Sequence, residues 1–371
     1  MTSRERDAVV QGMELDSPPV VRPGEPAATA RPDAWELPGG AAPPRRRNWL
    51  GWLLALAILL GCAFLVDLRQ LAQTLLALTP ATIAGLLLLA TADRLLMGWK
   101  WGLLLRIVGV RTPMARLIRI FYQANLSGAF LPSHVGGDLL RAWWAIQAGG
   151  QRYPVLASLV VERLLGLIAA VNWTLLGGTV HAVTTLPGPA SRWLAADLAG
   201  GLLANAGFAL LLNGGLRGAV LARLERHRAK RPLRLLHRLY AARAAFAGAR
   251  RALAANLGLT LLEQALQMGL ILAIALSIGV QVQPVAFLAA NTPYLLAVRV
   301  PIAPDGWGTG ELAAIGAFAL VGVDATQAFT ISLIAHLIPM LALSPGLLFL
   351  LRPQRNGAGL SPPLRDPTVP S

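Results

Sequence analysis

Charged residues are scarce in this sequence, and cysteine is almost absent. Only 14% of the 371 residues are charged, against about 25% in typical soluble domains, and 55% are hydrophobic. The scarcity of charge argues against a soluble globular domain and predicts a polytopic membrane protein. The single cysteine, Cys62, lies in an apolar run, which excludes an intrachain disulfide and a thiolate metal cluster.

Several motifs of soluble enzymes and transporters are also missing. The five histidines show no metal-ligand spacing, so we predict no metal site, and we expect His336 to be a hydrogen-bonded polar group within the membrane. A Walker A motif is absent, which argues against ATP-driven transport by this chain alone. The glycines near residue 308 lack the preceding β-strand that a dinucleotide site requires. We therefore predict no cofactor.

The charge that is present is mostly positive, with a net charge of +15. Segment 217–251 holds eleven Lys or Arg residues against one acid, Glu225, and it separates apolar runs. This distribution favours an anionic lipid surface as the partner over nucleic acid. Positive loops face the cytoplasm, so we predict that 217–251 is a basic cytoplasmic loop.

Apolar runs of about 20 residues are long enough to cross the hydrocarbon core as helices. Six full spans are predicted, at 49–66, 80–105, 155–182, 195–215, 252–280 and 325–351. Residues 1–48 are rich in Pro, Ala, Gly and Arg and are predicted to form a disordered cytoplasmic tail. Residues 352–371 are predicted to form a second cytoplasmic tail. Such a chain fits a bacterial-type plasma membrane, with both termini cytoplasmic.

Two further apolar regions, 117–148 and 284–323, are interrupted by proline and glycine. Basic residues flank both ends of the first region, so its ends are expected on the cytoplasmic side. The span count makes the second region enter and leave from the outside. The predicted fold is an all-α transmembrane bundle of six full spans and two re-entrant helical hairpins in an inverted repeat. The alternative is that both regions are full spans with proline kinks.

The first interrupted region contains the stretch NLSGAFLPSHVGGDLLRA. Its glycines are expected to allow a tight turn, and the acid that follows is expected to cap the next helix. The arginine one turn later lies on the same helix face. The stretch predicts an anion site suited to phosphate, or a capped helix with a local ion pair. The candidate residues are Asn125, Pro132, Gly136, Gly137, Asp138 and Arg141.

Two neighbouring charges, Glu162 and Arg163, lie one turn into a predicted apolar span. Neighbouring helical residues point about 100° apart, so the two need separate partners. Charges within the membrane are usually functional or paired between helices; the alternative is that both reach the interface. For Asp93 and Arg94, in the second span, we predict a structural pairing between helices.

The second interrupted region contains RVPIAPDGWGTGELAAIGAF. Two prolines and three glycines before an apolar helix favour a re-entrant tip, and an extracellular turn is the alternative. The candidate residues here are Arg299, Pro304, Gly306, Gly308 and Glu311, the last as an acid at a helix start.

These stretches together resemble the lysylphosphatidylglycerol synthase transmembrane family of flippase-like proteins. The resemblance covers roughly residues 50–350. Asp305 and Trp307 stand where the family usually has small residues. The resemblance implies that the protein moves or handles a polar lipid. The soluble aminoacyltransferase domain of the bifunctional members is not expected here, because the chain ends about 20 residues after its last predicted span.

The leading functional prediction is translocation of an anionic phospholipid or a lipid-linked glycan. In this prediction Arg141, Arg163 and Arg299 contact the headgroup. The acids Asp138, Glu162 and Glu311 orient those cations or carry a coupling proton. The alternatives are a membrane-embedded transferase acting on a lipid-linked sugar, with Asp138 or Glu311 as base, and an accessory subunit of a lipid-modifying enzyme.

Overall fold

The computed structural model describes residues 49–129, 134–185, 199–203, 205–206, 242, 245–246, 248–298, 303 and 306–351. These residues are helices and turns, with no strand among them, which confirms the predicted all-α fold. The two predicted tails, most of the predicted span at 195–215 and most of the basic loop 217–251 lie outside the described residues.

Short connections join the described helices, except between α6 and α7, where most of residues 186–249 lie outside the described residues. They are α1 (Trp49–Ala63), α2 (Leu68–Ala77), α3 (Pro80–Ile107), α4 (Met114–Ala129), α5 (His134–Gln147), α6 (Arg152–Thr185), α7 (Arg250–Ser277), α8 (Pro284–Val298), α9 (Thr309–Ala319), α10 (Ala325–Ala342) and α11 (Pro345–Leu351).

Four stretches of the described chain are long and apolar enough to cross a membrane: α3, the first 26 residues of α6, α7, and α10 together with α11. They confirm the predicted spans at 80–105, 155–182, 252–280 and 325–351. The predicted span at 49–66 is shorter than expected, because α1 ends at Ala63 and α2 turns away from it by 96°. The pair counts as a fifth span only if it is taken as one bent element.

Helix α2 was not predicted from the sequence. Its start is set by Asp67, whose carboxylate accepts hydrogen bonds from the backbone amides of Arg69 at 2.8 Å and Gln70 at 3.0 Å. This N-cap satisfies amides that the helix itself leaves free. No residue of α2 is buried.

Helices α4 and α5 form an antiparallel hairpin. Near the tip, a Cβ atom on Gly128 would lie 2.6 Å from the Cα atom of Gly137. Farther from the tip, the guanidinium carbon of Arg141 lies 5.7 Å from the ring centre of Phe121. Residues nearer the start of α4 therefore contact residues nearer the end of α5, as in an antiparallel pair. The missing side chains at Gly128 and Gly137 let the two arms approach this closely.

This packing corrects the prediction for the GGD stretch. We predicted a turn at Gly136 and Gly137 and an N-cap at Asp138, but α5 begins at His134, so Asp138 lies in its second turn. The glycines are helical and serve the close contact with α4 instead. The prediction failed because local preferences of glycine and aspartate gave way to tertiary packing.

Helices α8 and α9 form a second antiparallel hairpin. The rings of Phe287 and Phe318 stack at 4.7 Å, and Tyr294 lies 5.4 Å from Phe318. At the tip, a Cβ atom on Gly310 would lie 3.5 Å from Val298. The arms of the two hairpins contain 16, 14, 15 and 11 residues. At 1.5 Å per residue the described part of each arm is about 24 Å or shorter, compared with about 30 Å for a hydrocarbon core.

The two halves of the described chain repeat the same order of elements. Each half consists of a long helix, a hairpin and a second long helix. In the first half these are α3, α4–α5 and α6, and in the second half they are α7, α8–α9 and α10. The long helices α3 and α7 pack against each other in the centre. Helix α4 packs on α11, the end of the last span, and α8 packs on α6.

The turns between these elements also correspond. Two residues after the ends of α3 and α7 lie Gly109 and Gly279, which have φ angles of 83° and 79°. In each case the next amide, of Val110 or Val280, donates to the carbonyl five residues earlier at 3.0 Å. This is a Schellman motif, which requires a left-handed residue. The three residues that follow lead into the first arm of the hairpin.

The second arms end in the same way. Helix α5 is followed by Gly149 at a φ of 96°, and α9 by Gly322 at a φ of 79°. Counted back from these glycines, Asp138 and Glu311 both lie eleven residues earlier. The two acids that the sequence analysis singled out therefore occupy equivalent positions in the two halves.

Candidate functional site

Arg141 is the centre of a buried charge cluster in the first half. Its side chain is almost fully enclosed, with Nη2 2.5 Å and Nη1 3.4 Å from the carboxylate of Glu162. Nη2 also lies 3.1 Å from Asp138. The guanidinium carbon lies 4.7 Å from the ring centre of Trp101, in cation–π geometry. Arg141 thus joins α5 to α6 and is compensated by two protein carboxylates.

Arg163 completes the cluster from the exposed side. Its Nε lies 2.9 Å from Oδ2 of Asp138, and its Nη2 contacts the same oxygen. The prediction of separate partners for Glu162 and Arg163 is confirmed. Glu162 is only 8% exposed, so the alternative that it reaches the interface is wrong. The Arg163 side chain is 63% exposed.

The second half holds a smaller pair at the tip of its hairpin. Glu311 is fully buried, and its Oε1 lies 2.8 Å from Nδ1 of His336. Its Oε2 accepts a hydrogen bond of 2.6 Å from the backbone amide of Gly308, one half of a capping box. The ring of Trp307 stacks on His336 at 5.0 Å. The predictions that Glu311 lies at a helix start and that His336 is hydrogen-bonded are confirmed.

These two clusters occupy equivalent places in the repeat. Arg163 lies fourteen residues after Gly149, and His336 lies fourteen residues after Gly322. In both halves an acid in the second hairpin arm is therefore held by a basic side chain of the following long helix. The first half uses an arginine at this position and the second half uses a histidine.

The tips of both first arms meet at a cavity of about 220 Å³. Ala129 and Val298, the last residues of α4 and α8, both line it. Polar and charged residues from five helices also line this cavity: Asp93, Arg94, Asn125, Gln267, Tyr294 and His336. The cavity thus lies between the two hairpins and reaches the second of the two ion pairs.

The charged residues of this cavity correct a prediction. Asp93 and Arg94 were expected to pair with other helices, but their side chains lie 3.5 Å from each other. Arg94 also lies 3.4 Å from the sulfur of Met97. Within the described part of the chain, Oδ1 of Asp93 and Nε of Arg94 have no hydrogen-bond partner, although both atoms are buried. Charged residues inside an apolar helix often have a functional role. We had predicted a structural role for these two residues instead.

Lys100 of α3 is also buried. It is only 3% exposed and bonds Glu263 of α7. Glu263 and Asp93 each lie sixteen residues before the glycine that ends their helix. The two central helices therefore carry equivalent acids. One is neutralised by Lys100, and the other faces the cavity.

The remaining predicted residues are distributed between the cavity and the second hairpin. The side-chain amide of Asn125 lines the cavity and donates to the carbonyl of Phe121 at 2.8 Å. Gly306 and Gly308 have φ angles of 80° and 79° at the start of α9, where a side chain would be strained. Pro132, Arg299 and Pro304 lie outside the described residues. Among the described residues, no group of three His, Cys, Asp or Glu side chains is placed to hold a metal ion.

The family model for the lysylphosphatidylglycerol synthase TM region matches residues 52–345. The chain belongs to this family. Membership, together with the apolar helices, makes it a multi-pass membrane protein linked to lipid handling. The match covers both halves of the repeat and ends inside the last span, at the start of α11. No curated protein and no solved structure matches the chain.

Proposed function

We propose that this protein moves the polar headgroup of an anionic phospholipid or a lipid-linked glycan between the two leaflets. The two hairpins act as re-entrant elements of an inverted repeat that open in turn to opposite sides. The cavity between them carries this proposal. It brings together the tips of both first arms and a buried pair of opposite charges.

The depth of the cavity supports a transport role. Asp93 and Arg94 lie at the middle of the 28-residue helix α3, about 20 Å from either end. Transporters built from repeats bind their substrates near this depth, at the interface of broken helices. A structural ion pair has no need of an adjoining cavity, whereas a binding site does.

The size and chemistry of the cavity suit a headgroup. Its volume of about 220 Å³ is below the range of about 300–1,000 Å³ that encloses drug-sized ligands, so the acyl chains would remain in the bilayer. The guanidinium of Arg94 is suited to a phosphate. The free Oδ1 of Asp93 is suited to a hydroxyl or amine donor. Together they replace water that a headgroup loses at this depth.

The other predicted cations have distinct places in this proposal. Arg163 presents an exposed guanidinium beside the first hairpin and serves as a headgroup contact on the way to the cavity. Arg141 acts as a positioning residue, since its charge is already shared by Glu162 and Asp138. Arg299 directly follows the cavity residue Val298 in the sequence and is proposed as a contact from the second hairpin.

The membrane orientation belongs to the same proposal. Both termini and the basic loop 217–251 would be cytoplasmic, in a bacterial-type plasma membrane, with the loop resting on anionic lipid. The first hairpin would then be reached from the cytoplasm and the second from outside. No metal or cofactor takes part in the proposed cycle.

The test is lipid translocation by the purified protein in liposomes. Fluorescent phospholipids would be placed in both leaflets, and an impermeant reductant would quench only the outer ones. We expect the protein to make the inner pool accessible. Arg94→Gln should slow this at least about tenfold, which corresponds to about 1.4 kcal/mol of lost binding. The matched control is Arg106→Gln, an exposed arginine of the same helix, which should leave the rate unchanged.

The same samples separate the alternatives. A transferase would alter the labelled lipid when a lipid-linked sugar is supplied, which chromatography of the extracted lipids would show. An accessory subunit would give neither translocation nor turnover. Equal rates for Arg94→Gln and Arg106→Gln would remove the cavity from the transport path.

A further inference from the structure

The two equivalent ion pairs differ in their capacity for a proton. The first cluster contains two carboxylates, of Asp138 and Glu162, and two guanidiniums, of Arg141 and Arg163. Arginine stays protonated at any physiological pH, so the two guanidiniums match the two carboxylates in number and charge. The second pair contains Glu311 and a histidine, the side chain whose charge changes near neutral pH.

We propose that Glu311 and His336 form the proton-binding site that couples transport to pH. The proposal rests on the proposed translocase function and names its coupling ion. With Nδ1–H of His336 donating to the carboxylate, the imidazole takes one further proton on Nε2. The pair then changes from a net charge of −1 to zero. The Nε2–H bond forms as an O–H bond of a hydronium ion breaks, and the proton returns to water when Nε2–H dissociates.

The physical reason for coupling is the cost of net charge inside the membrane. An uncompensated charge near the bilayer centre costs at least about 2.5 kcal/mol. His336 is the twelfth residue of α10, about 16 Å from its start. The second hairpin therefore changes position at low cost only when the pair is neutral, that is, when a proton is bound. The first cluster imposes no such condition on its own hairpin.

The tip of the second hairpin packs directly against the imidazole of His336. Protonation of this imidazole would therefore affect the part of the hairpin that is proposed to move. A Cβ atom on Gly310 would lie 2.8 Å from Cε1 of His336, and one on Gly306 would lie 3.7 Å from Nε2. The carboxylate of Glu311 also holds the amide of Gly308 at the start of α9. The tip, the acid and the histidine therefore form one packed unit.

Other ionisable groups surround this pair. Asp93 and Arg94 of α3 line the same cavity as His336 and are paired with each other. Tyr294 of α8 and Cys62 of α1 lie within electrostatic reach of Glu311. Glu263 of α7 is bound by Lys100. Among these described neighbours, the tyrosine and cysteine are neutral near pH 7, and the histidine belongs to the side-chain type whose charge ordinarily changes near that pH.

The first test measures translocation in liposomes with the same pH on both sides. The imidazole binds its second proton more often as the pH falls. We expect translocation to be several-fold faster at about pH 5.5 than at about pH 7.5. His336→Gln should be slow at both values, because it cannot bind the proton. A rate that is independent of pH in the unaltered protein would overturn the proposal.

Arg163 and His336 occupy equivalent positions, so each residue type can be introduced at the other position. Arg163→His places a titratable group at the same position of the first half and should add a second pH-dependent step there. His336→Arg gives a permanently neutral pair and should remove the pH dependence. Retention of the full pH dependence in His336→Arg would also overturn the proposal.

A second measurement does not depend on transport. In protein with isotope-labelled histidine, five imidazole signals are expected, and the one missing in His336→Gln belongs to His336. In the unaltered protein that signal should titrate between about pH 5 and 8. A signal that stays constant over this range would contradict the proton site. If the signal titrates and no lipid is translocated, the proton site stands and the translocase function fails.

Discussion

The two hairpins of this protein share one plan and differ in their charges. In the first half, Asp138 is held by two arginines, and the cluster extends to Glu162. In the second half, Glu311 has a single histidine and a backbone amide. In the proposed transport cycle, the shared plan gives each half an equivalent moving hairpin. The difference in basic partners makes the second half the one that we propose to respond to pH.

The largest expected effect concerns the opposite orientation of the hairpins. With Cys62 replaced, Ser133→Cys, which lies outside the described residues, should react with an impermeant thiol reagent only from the cytoplasmic side. Thr309→Cys, at the start of α9, should react only from outside. The measurement is labelling of intact cells and of inverted vesicles. Protection of both positions from both sides would favour kinked full spans over re-entrant hairpins.

Topology supplies the control for that experiment. Ser191→Cys should be labelled in intact cells, and Ser3→Cys should not, because positive loops place both termini inside. The reverse pattern would invert the whole assignment, including the side from which each hairpin is reached.

The next effect compares a buried and an exposed arginine of the same cluster. Arg141→Met leaves Glu162 buried beside an apolar side chain, which should lower the free energy of unfolding by about 3–5 kcal/mol. Arg163→Met removes an exposed partner of Asp138 and should cost less than about 1 kcal/mol. Thermal unfolding in detergent, together with abundance in the membrane, measures the difference. Equal losses would mean that Arg141 does not organise the cluster.

Close packing at the first hairpin predicts a smaller effect. Gly128→Ala places Cβ against the backbone of Gly137, and overpacking of this kind should cost about 1–3 kcal/mol. In the second hairpin, Gly316 has open space around its Cβ position. Gly316→Ala should therefore stabilise α9 by about 0.5–1 kcal/mol. Unfolding midpoints in detergent should shift in opposite directions for the two variants.

The smallest effect tests whether the halves are truly equivalent. Gly109 and Gly279 have nearly the same positive φ, and no atom lies within 4 Å of the Cβ position of either. Replacing either by alanine should therefore cost only backbone strain, about 1 kcal/mol. The two losses should agree within about 0.5 kcal/mol. Clearly unequal losses in the free energy of unfolding would show that the two turns are not energetically equivalent.

The long spans could be predicted from the sequence because an apolar run of about 20 residues has few alternatives to a membrane-spanning helix. The sequence also predicted that Glu162 and Arg163 have separate partners, because helix geometry alone separates adjacent side chains. Both inferences depend on local rules that packing does not change.

An inverted repeat was predicted from the sequence, but the cavity and the residue-by-residue correspondence of the two halves could not be predicted in the same way. Asp93 and Arg94 are adjacent in sequence, and only the structure shows that they line a cavity shared with the first arms of both hairpins. The correspondence of Asp138 with Glu311 becomes visible only by counting from glycines with positive φ, and the sequence does not distinguish these from helical ones such as Gly137. The start of α5 was misplaced for the same reason, because the close contact between Gly128 and Gly137 lies between different helices.

The most direct test of the central claim joins the two hairpin tips across the cavity. Ala129→Cys and Val298→Cys, in protein lacking Cys62, would be linked by a cleavable bifunctional reagent, and lipid translocation would be measured before linking, after linking and after cleavage. If the hairpins move relative to each other around a headgroup in the cavity, linking should stop translocation and cleavage should restore it, while either single cysteine with the same reagent should retain most of the rate. Full translocation by the linked protein would contradict the account.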